Sequence, residues 1–201
     1  MSHERPRYLA LEGIEGSGKS TIAVAVADRL RSASRDVVLV REPGGTALGE
    51  EIRRLVLDGD DMAPWAEAAL FAAQRAQLAV GVIRPALDRG AIVVSDRSFY
   101  SSIAYQGGGR SLGADAVREL NRTVLDGVEP DLVVVLDVDP AVGVARQRHP
   151  DRIGSEDVSF LAAVRAGFRS LATAEPDRVK LVDTSGDIAD VVERVLGTWN
   201  P

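Results

Sequence analysis

Residues 9–30 read LALEGIEGSGKSTIAVAVADRL. An apolar run gives way to three glycines and a lysine, and then to Ile22, Val26 and Leu30, whose spacing of four predicts a helix with one apolar face. Within the stretch lies Gly13-x-x-x-x-Gly18-Lys19-Ser20, the P-loop pattern, set between a strand and a helix as that motif requires. Gly13, Gly16 and Gly18 permit backbone angles and close approach that a side chain would block, so successive N–H groups can face phosphate oxygens at a helix N-terminus. Lys19 adds a point charge, and the Ser20 hydroxyl suits Mg2+. The alternative is a glycine-rich turn used only for packing. Glu15 is out of place among phosphates, so it is expected to point out of the loop toward a second substrate or a cation, or simply into solvent.

Outward from this stretch the same punctuation recurs. Near-continuous β-branched runs at 8–12, 36–41, 91–95, 131–138 and 178–183 predict strands buried on both faces of a parallel sheet. Between them lie helical patterns: Leu48, Ile52, Leu55 and Val56, then an alanine-rich stretch from about Trp65 toward Leu87, then 114–126, 140–147, 156–173 and 187–198. Alternation of this kind predicts one α/β domain over 1–201, a doubly wound five-stranded parallel sheet with helices on both faces. Ligands of such sheets bind beyond the carboxyl ends of the strands, which points to the residues just after 12, 41, 95, 138 and 183.

Composition narrows the class. The chain has 201 residues, 45% of them apolar, enough for one buried core. It has no cysteine, which excludes disulfides, thiolate metal sites and cysteine nucleophiles and fits a cytoplasmic location. The net charge of -6 argues against a general nucleic-acid or anionic-membrane binder. No apolar run approaches the about 20 residues of a membrane span, and the N-terminus lacks a signal-peptide pattern. His3 and His149 are far apart and read as surface residues, with phosphate contact as the alternative for His149.

Basic groups nevertheless gather at the predicted strand ends. After the second strand, REPGGT (41–46) holds Arg41 beside a turn stiffened by Pro43, ready to grip a phosphate or to pair with Glu42 or Glu51. After the third, in SDRSFYSSIAYQGGGR (95–110), Asp96 occupies a Walker B position suited to Mg2+, and Arg97 follows. Lys19, Arg41 and Arg97 thus converge on one sheet edge, which in an acidic chain calls for more than one phosphate group. In EAALFAAQRAQL (67–78), Phe71 and Arg75 share a helical face: Phe71 is either core or a ring that stacks on a base, with Arg75 reading the base edge. The segment ARQRHPDRIGSED (145–157) carries Arg146, Arg148 and Arg152, either a solvated basic loop or a lid over a transferring phosphoryl group.

In this order, EGIEGSGKST, REPGGT, LFAAQRAQ, SDRSFYSSIAYQGGGR and PDLVVVLDVDP followed by the arginine segment resemble the bacterial thymidylate kinases over nearly the whole chain. The resemblance implies a P-loop NTPase-type fold with a short arginine-rich lid at about 146–157, and transfer of the γ-phosphoryl of MgATP to dTMP. It implies that Gly13, Ile14, Glu15, Gly16, Ser17, Gly18, Lys19, Ser20 and Thr21 hold ATP and that Ser20 and Asp96 serve Mg2+. It places Arg41, Arg53 and Arg97 on the dTMP phosphate, Glu15 toward the sugar hydroxyl, Phe71 and Arg75 on thymine, Ser102 at the ring N–H, and Tyr105 against the 2′ position with Gln106 beside it. Lys19, Arg41, Arg97, Arg146, Arg148 and Arg152 are the implied catalytic groups, Arg146 also stacking on adenine beside the loop after Asp183. Relatives are commonly homodimers, and the alanine-rich helix at 65–80 has apolar residues to spare for a second subunit. Two positions depart from the family pattern: Ser98 stands where many relatives carry tyrosine or histidine, and Ser102 where asparagine or threonine is common. The competing expectations are a P-loop kinase for another monophosphate or a nucleoside, and a nucleotide-dependent switch without acceptor chemistry. No N-K-x-D stretch supports a GTPase.

Overall fold

Five parallel strands, β1 (Tyr8–Glu12), β2 (Val37–Arg41), β3 (Ile92–Asp96), β4 (Leu132–Asp137) and β5 (Val179–Asp183), form one sheet in the order β2-β3-β1-β4-β5. The structure is a computed structural model and describes residues 7–147 and 151–199. All five strands lie within a residue of where the β-branched runs place them. β1 occupies the centre because all five of its residues are buried. Its side chains alternate between the sheet faces. Tyr8 and Ala10 join the core under helices α2 (Ala47–Asp58), α3 (Pro64–Leu78), α6 (Ala114–Leu125) and α8 (Val158–Ala174), while Leu9 and Leu11 join the core under α1 (Lys19–Ser32) and α9 (Ile188–Thr198).

Register brings the strand ends together. Asp96 pairs in register with Leu11 on one side and Arg41 on the other, and Asp137 with Asp183. Each strand therefore finishes on a charged residue at the same edge: Glu12, Arg41, Asp96, Asp137 or Asp183. β1 is where the winding reverses, since β3 flanks it on one side and β4 on the other, and the loop leaving β1 is the P-loop.

The helices start where side-chain chemistry allows. Thr46, Asp139 and Asp157 accept from backbone N–H groups at the starts of α2, α7 (Pro140–Arg146) and α8, and α9 begins with an Asp187/Asp190 capping box. The alanine-rich helix runs through a π turn at Ala79–Ile83 into α4 (Arg84–Asp88), matching the predicted extent. Two local features differ from the sequence pattern. Leu48 and Leu55, which share the predicted apolar face of α2, are 49% and 50% exposed, leaving Ile52 and Val56 as its buried pair. Residues after Arg97, which carry loop-like glycines, form a short helix α5 (Phe99–Ser102) continued as a π-helix over Ile103–Gly109. The glycine at 109 is needed there because a Cβ would stand 2.6 Å from the Phe160 ring of α8.

Candidate active site

The P-loop folds back over the end of β1. Gly13, Gly16 and Gly18 all have positive φ, at 138°, 73° and 90°, conformations costly for residues with a side chain. At Gly16 space is also closed, since a Cβ would lie 2.1 Å from the Gly143 carbonyl oxygen. Gly18 is the N-cap of α1 and offers no side-chain cap, so the first N–H groups of that helix remain for an anion. The Lys19 ammonium donates to the Ile14 carbonyl at 2.8 Å and to Ser17 Oγ at 3.4 Å. Burial, with the like charge of Arg97, pushes it down to about 8. Ser20 Oγ donates to Asp96 Oδ2, while Asp96 Oδ1 is buried with no hydrogen-bond partner. A hydroxyl beside a carboxylate with an unused oxygen is the hard donor set that Mg2+ favours when phosphate and water complete its shell. No group of three acidic or histidine ligands exists among the described residues, so the protein alone forms no closed metal cage there.

Next to the loop opens a cavity of about 330 Å3. Lys19, Ser20 and Asp96 line it together with all nine candidate acceptor residues: Glu15, Arg41, Arg53, Phe71, Arg75, Arg97, Ser102, Tyr105 and Gln106. Glu15 does turn out of the phosphate loop. Its carboxylate accepts from Arg97 Nη2 at 2.7 Å and from the Tyr105 hydroxyl at 2.8 Å. Burial raises the Glu15 carboxyl, but the charges of Arg97 and Lys19 outweigh it and hold the group below the usual carboxylate range. Tyr105 is pushed well above its ordinary value, chiefly by burial, so it stays a donor. Arg97 lies over the Tyr105 ring at 5.1 Å. Phe71 is 8% exposed and packs in the core while its remaining surface faces the cavity, so both readings of that ring hold geometrically.

Several basic groups have other partners than the spacing predicts. Arg41 binds Glu50 through Nη2, at 2.8 and 3.0 Å, rather than Glu42 or Glu51. Glu42 instead lies buried against Arg75, with Nε to Oε2 at 2.5 Å. Arg75 is 2% exposed and also donates to Ser102 Oγ, Asn121 Oδ1 and the Ser98 carbonyl, which uses four of its five N–H groups. It is thus a structural hub with one N–H left, not a free reader of a base. Arg53 donates to the Pro43 carbonyl at 2.9 Å, one residue after the cis Glu42–Pro43 bond.

The arginine-rich segment divides. Arg146 Nη1 approaches the Gly16 carbonyl at 3.5 Å, and its side chain lines a second cavity with Asp183, Thr184 and Ser185, beside the P-loop. Arg148 lies outside the described residues, as do His3 and His149. Arg152, expected to face the transferring group, is committed elsewhere: Nη2 binds Glu67 at 2.7 Å and Nε the Val56 carbonyl at 3.0 Å. Glu67, absent from the sequence-level candidates, is a buried carboxylate that also accepts from Gln106 and Arg110. Burial raises it, yet these donors hold it below the ordinary range. Its signal was the spacing 67, 71, 75 on one face of α3. Glu12, read only as the last residue of β1, was missed as well.

Comparison with known proteins adds independent weight. The family model described as thymidylate kinase matches residues 11–195. Thymidylate kinases of Synechococcus sp. strain JA-3-3Ab and Deinococcus radiodurans are 43% and 45% identical, covering 96% and 89% of this chain and 95% and 88% of their own. That of Leifsonia xyli is 46% identical over 94% of this chain and 91% of its own. The crystal structure of thymidylate kinase from Ehrlichia chaffeensis superposes with a TM-score of 0.84 at 31% identity, over 98% of this chain and 100% of the other. A P-loop that shares one cavity with a buried Phe71, Arg75 and Tyr105 set, in a chain matched almost end to end, makes this protein a member of the thymidylate kinase family.

Proposed function

We infer that the chain transfers the γ-phosphoryl group of ATP to dTMP, giving dTDP and ADP. The observation that carries this is the shared cavity, in which the P-loop lysine and the acceptor candidates face the same space. A dTMP phosphate oxygen attacks the γ-phosphorus as the bond to the β,γ-bridging oxygen breaks. That oxygen is already anionic, so the site needs no general base, and positioning and water exclusion dominate. The P-loop amides and Lys19 hold the donor phosphates. Arg41, Arg53 and Arg97 hold the acceptor phosphate, Arg41 exchanging Glu50 for it. Phe71 stacks on thymine, and Arg75 presents its last N–H with Ser102 at the base edge. Tyr105 and Glu15 face the deoxyribose, with Gln106 behind them. Ser20 and Asp96 would hold Mg2+, which when bound neutralises charge on the phosphates. Arg146 is the described lid arginine placed for the donor side. Arg152 serves there only after leaving Glu67.

A phosphorylation assay across dTMP, dUMP, UMP, dCMP and dGMP tests the assignment. The highest kcat/KM is expected with dTMP. Preference for another monophosphate would reassign the substrate, and ADP release indifferent to any acceptor would favour a nucleotide switch.

The working unit is a cytoplasmic homodimer. Leu48 and Leu55 of α2, Trp65 of α3 and Val80 of the adjoining π turn are each about half exposed or more, an apolar excess on neighbouring helices that a second copy would cover. Light scattering is expected to give about twice the 21.4 kDa chain mass, and a monomer at assay concentration would remove the dimer. No described helix is long and apolar enough to cross a membrane.

A further inference from the structure

Glu12 is fully buried, lies one residue before the P-loop and does not line the cavity, yet its carboxylate is saturated with donors. Oε1 accepts from Ser98 N at 2.7 Å, Ser98 Oγ at 2.8 Å and Ser101 N at 3.1 Å, and Oε2 accepts from Ser101 Oγ at 2.5 Å. A buried carboxylate is costly unless its lone pairs are met this completely. Every donor comes from the segment that directly follows Arg97.

Arg97 itself has φ 76°, a left-handed conformation that disfavours a residue with a side chain and persists only where its surroundings enforce it. Leu11 fixes the near side by accepting from Arg97 N at 2.9 Å. Glu12 fixes the far side by capturing the next N–H, that of Ser98. The hydroxyl of Ser101 extends this hold to the guanidinium. Its one hydrogen goes to Glu12, so its lone pairs are turned toward Arg97 Nη1, which donates at 3.1 Å. Arg97 in turn binds Glu15. We propose that Glu12 is a positioning residue for the acceptor site: through Ser98 and Ser101 it sets the backbone and the guanidinium of Arg97, and so the place of the acceptor phosphate relative to the P-loop. Ser98, one of the two departures from the family pattern, supplies a hydroxyl to this arrangement.

The proposal rests on the dTMP kinase reading, and Glu12→Gln tests it separately. The amide is isosteric but presents an NH2 to Ser101 or to Ser98 N. Facing Ser101, it makes that hydroxyl accept and turns its hydrogen against Arg97. Facing Ser98 N, it sets donor against donor. The KM and Kd for dTMP are expected to rise about tenfold or more, while the KM for ATP stays near wild type; the melting temperature falls by several degrees, which by itself would not single out dTMP. Ser101→Ala, which leaves the Ser98 bonds in place, should shift the same dTMP constants in the same direction by less, and adding it to Glu12→Gln should cost little further. Unchanged dTMP constants in both variants, or equal shifts for dTMP and ATP, would overturn the positioning role. If Glu12→Gln does not fold, Ser101→Ala alone decides. Wild-type chain that fails to phosphorylate dTMP would instead overturn the substrate reading, so the two failures are distinct.

Discussion

Lys19→Ala is expected to lower kcat by about a hundred- to thousandfold while leaving the fold intact. The lysine is buried beside the P-loop and is the one side-chain cation drawn directly from the phosphate-binding motif. Its ammonium donates to the Ile14 carbonyl and Ser17 Oγ of its own loop, which holds it at the P-loop where donor phosphates are expected. The stability half of the expectation follows from linkage. Burial and Arg97 depress Lys19 to about 8, below its ordinary 10.5. An unfolded chain therefore binds more protons than the folded one between those values, and the resulting destabilisation is fully present below about 8 and disappears as pH climbs toward 10.5. Removing the ammonium at pH 7 removes that term, so the variant should melt no earlier than wild type. In the wild type, ATP affinity measured by calorimetry should weaken as pH rises past about 8 and the ammonium loses its proton. Near-normal turnover in Lys19→Ala would sink the mechanism, and collapse of the fold would show that the lysine is structural.

Strands and P-loop could be read from the chain because each is a local pattern, whereas Arg53, Ser102, Tyr105 and Gln106 were named as acceptor residues only through the family resemblance. β-branched runs mark the strands, and the parallel-sheet rule gathers their ends. What could not be read are partnerships between distant segments. Glu12 meets Ser98 across 86 residues and Glu67 meets Arg152 across 85, and although the two carboxylates open the stretches EGIEGSGKST and EAALFAAQRAQL, nothing in either stretch names the distant donor. Periodicity reports which face a residue occupies, not which charge awaits it there. Arg152 illustrates the difference: an arginine in an arginine-rich segment reads as available, but a buried carboxylate on α3 has already bound it. Leu48 and Leu55 show the same limit for apolar residues, since α2 buries a narrower stripe than its sequence offers. The helical course of 99–109 is hidden by its glycines, of which Gly109 packs closely against Phe160 of α8 and Gly107 against Ala114 at the start of α6.

The largest loss of stability is expected from Arg75→Ala. The guanidinium pairs with Glu42, and both side chains are only 2% exposed. It also satisfies Ser102, Asn121 and the Ser98 carbonyl, joining α3 to the segment after β3 and to α6. Breaking a buried ion pair from one side costs about 3–5 kcal/mol because the remaining charge has no compensation. Glu42 has one oxygen already without a partner, and burial raises its carboxyl against the pull of Arg75. In the variant that pull is gone, so Glu42 rises further above its unfolded value. A carboxyl raised in the folded state contributes its stability below the unfolded pKa and loses it as pH increases toward the folded one. The deficit of Arg75→Ala relative to wild type should therefore be largest near neutrality and shrink on acidification toward pH 5. Urea melts at pH 7 should show the full loss, equivalent to a fall of about 6–20 °C in Tm for a chain of this size. Adding Glu42→Gln removes the stranded charge and should recover part of the loss without restoring dTMP binding, since the last N–H of Arg75 is still missing from the cavity. A deficit independent of pH, or no recovery in the double variant, would mean that Arg75 stabilises the fold by packing and not by holding Glu42.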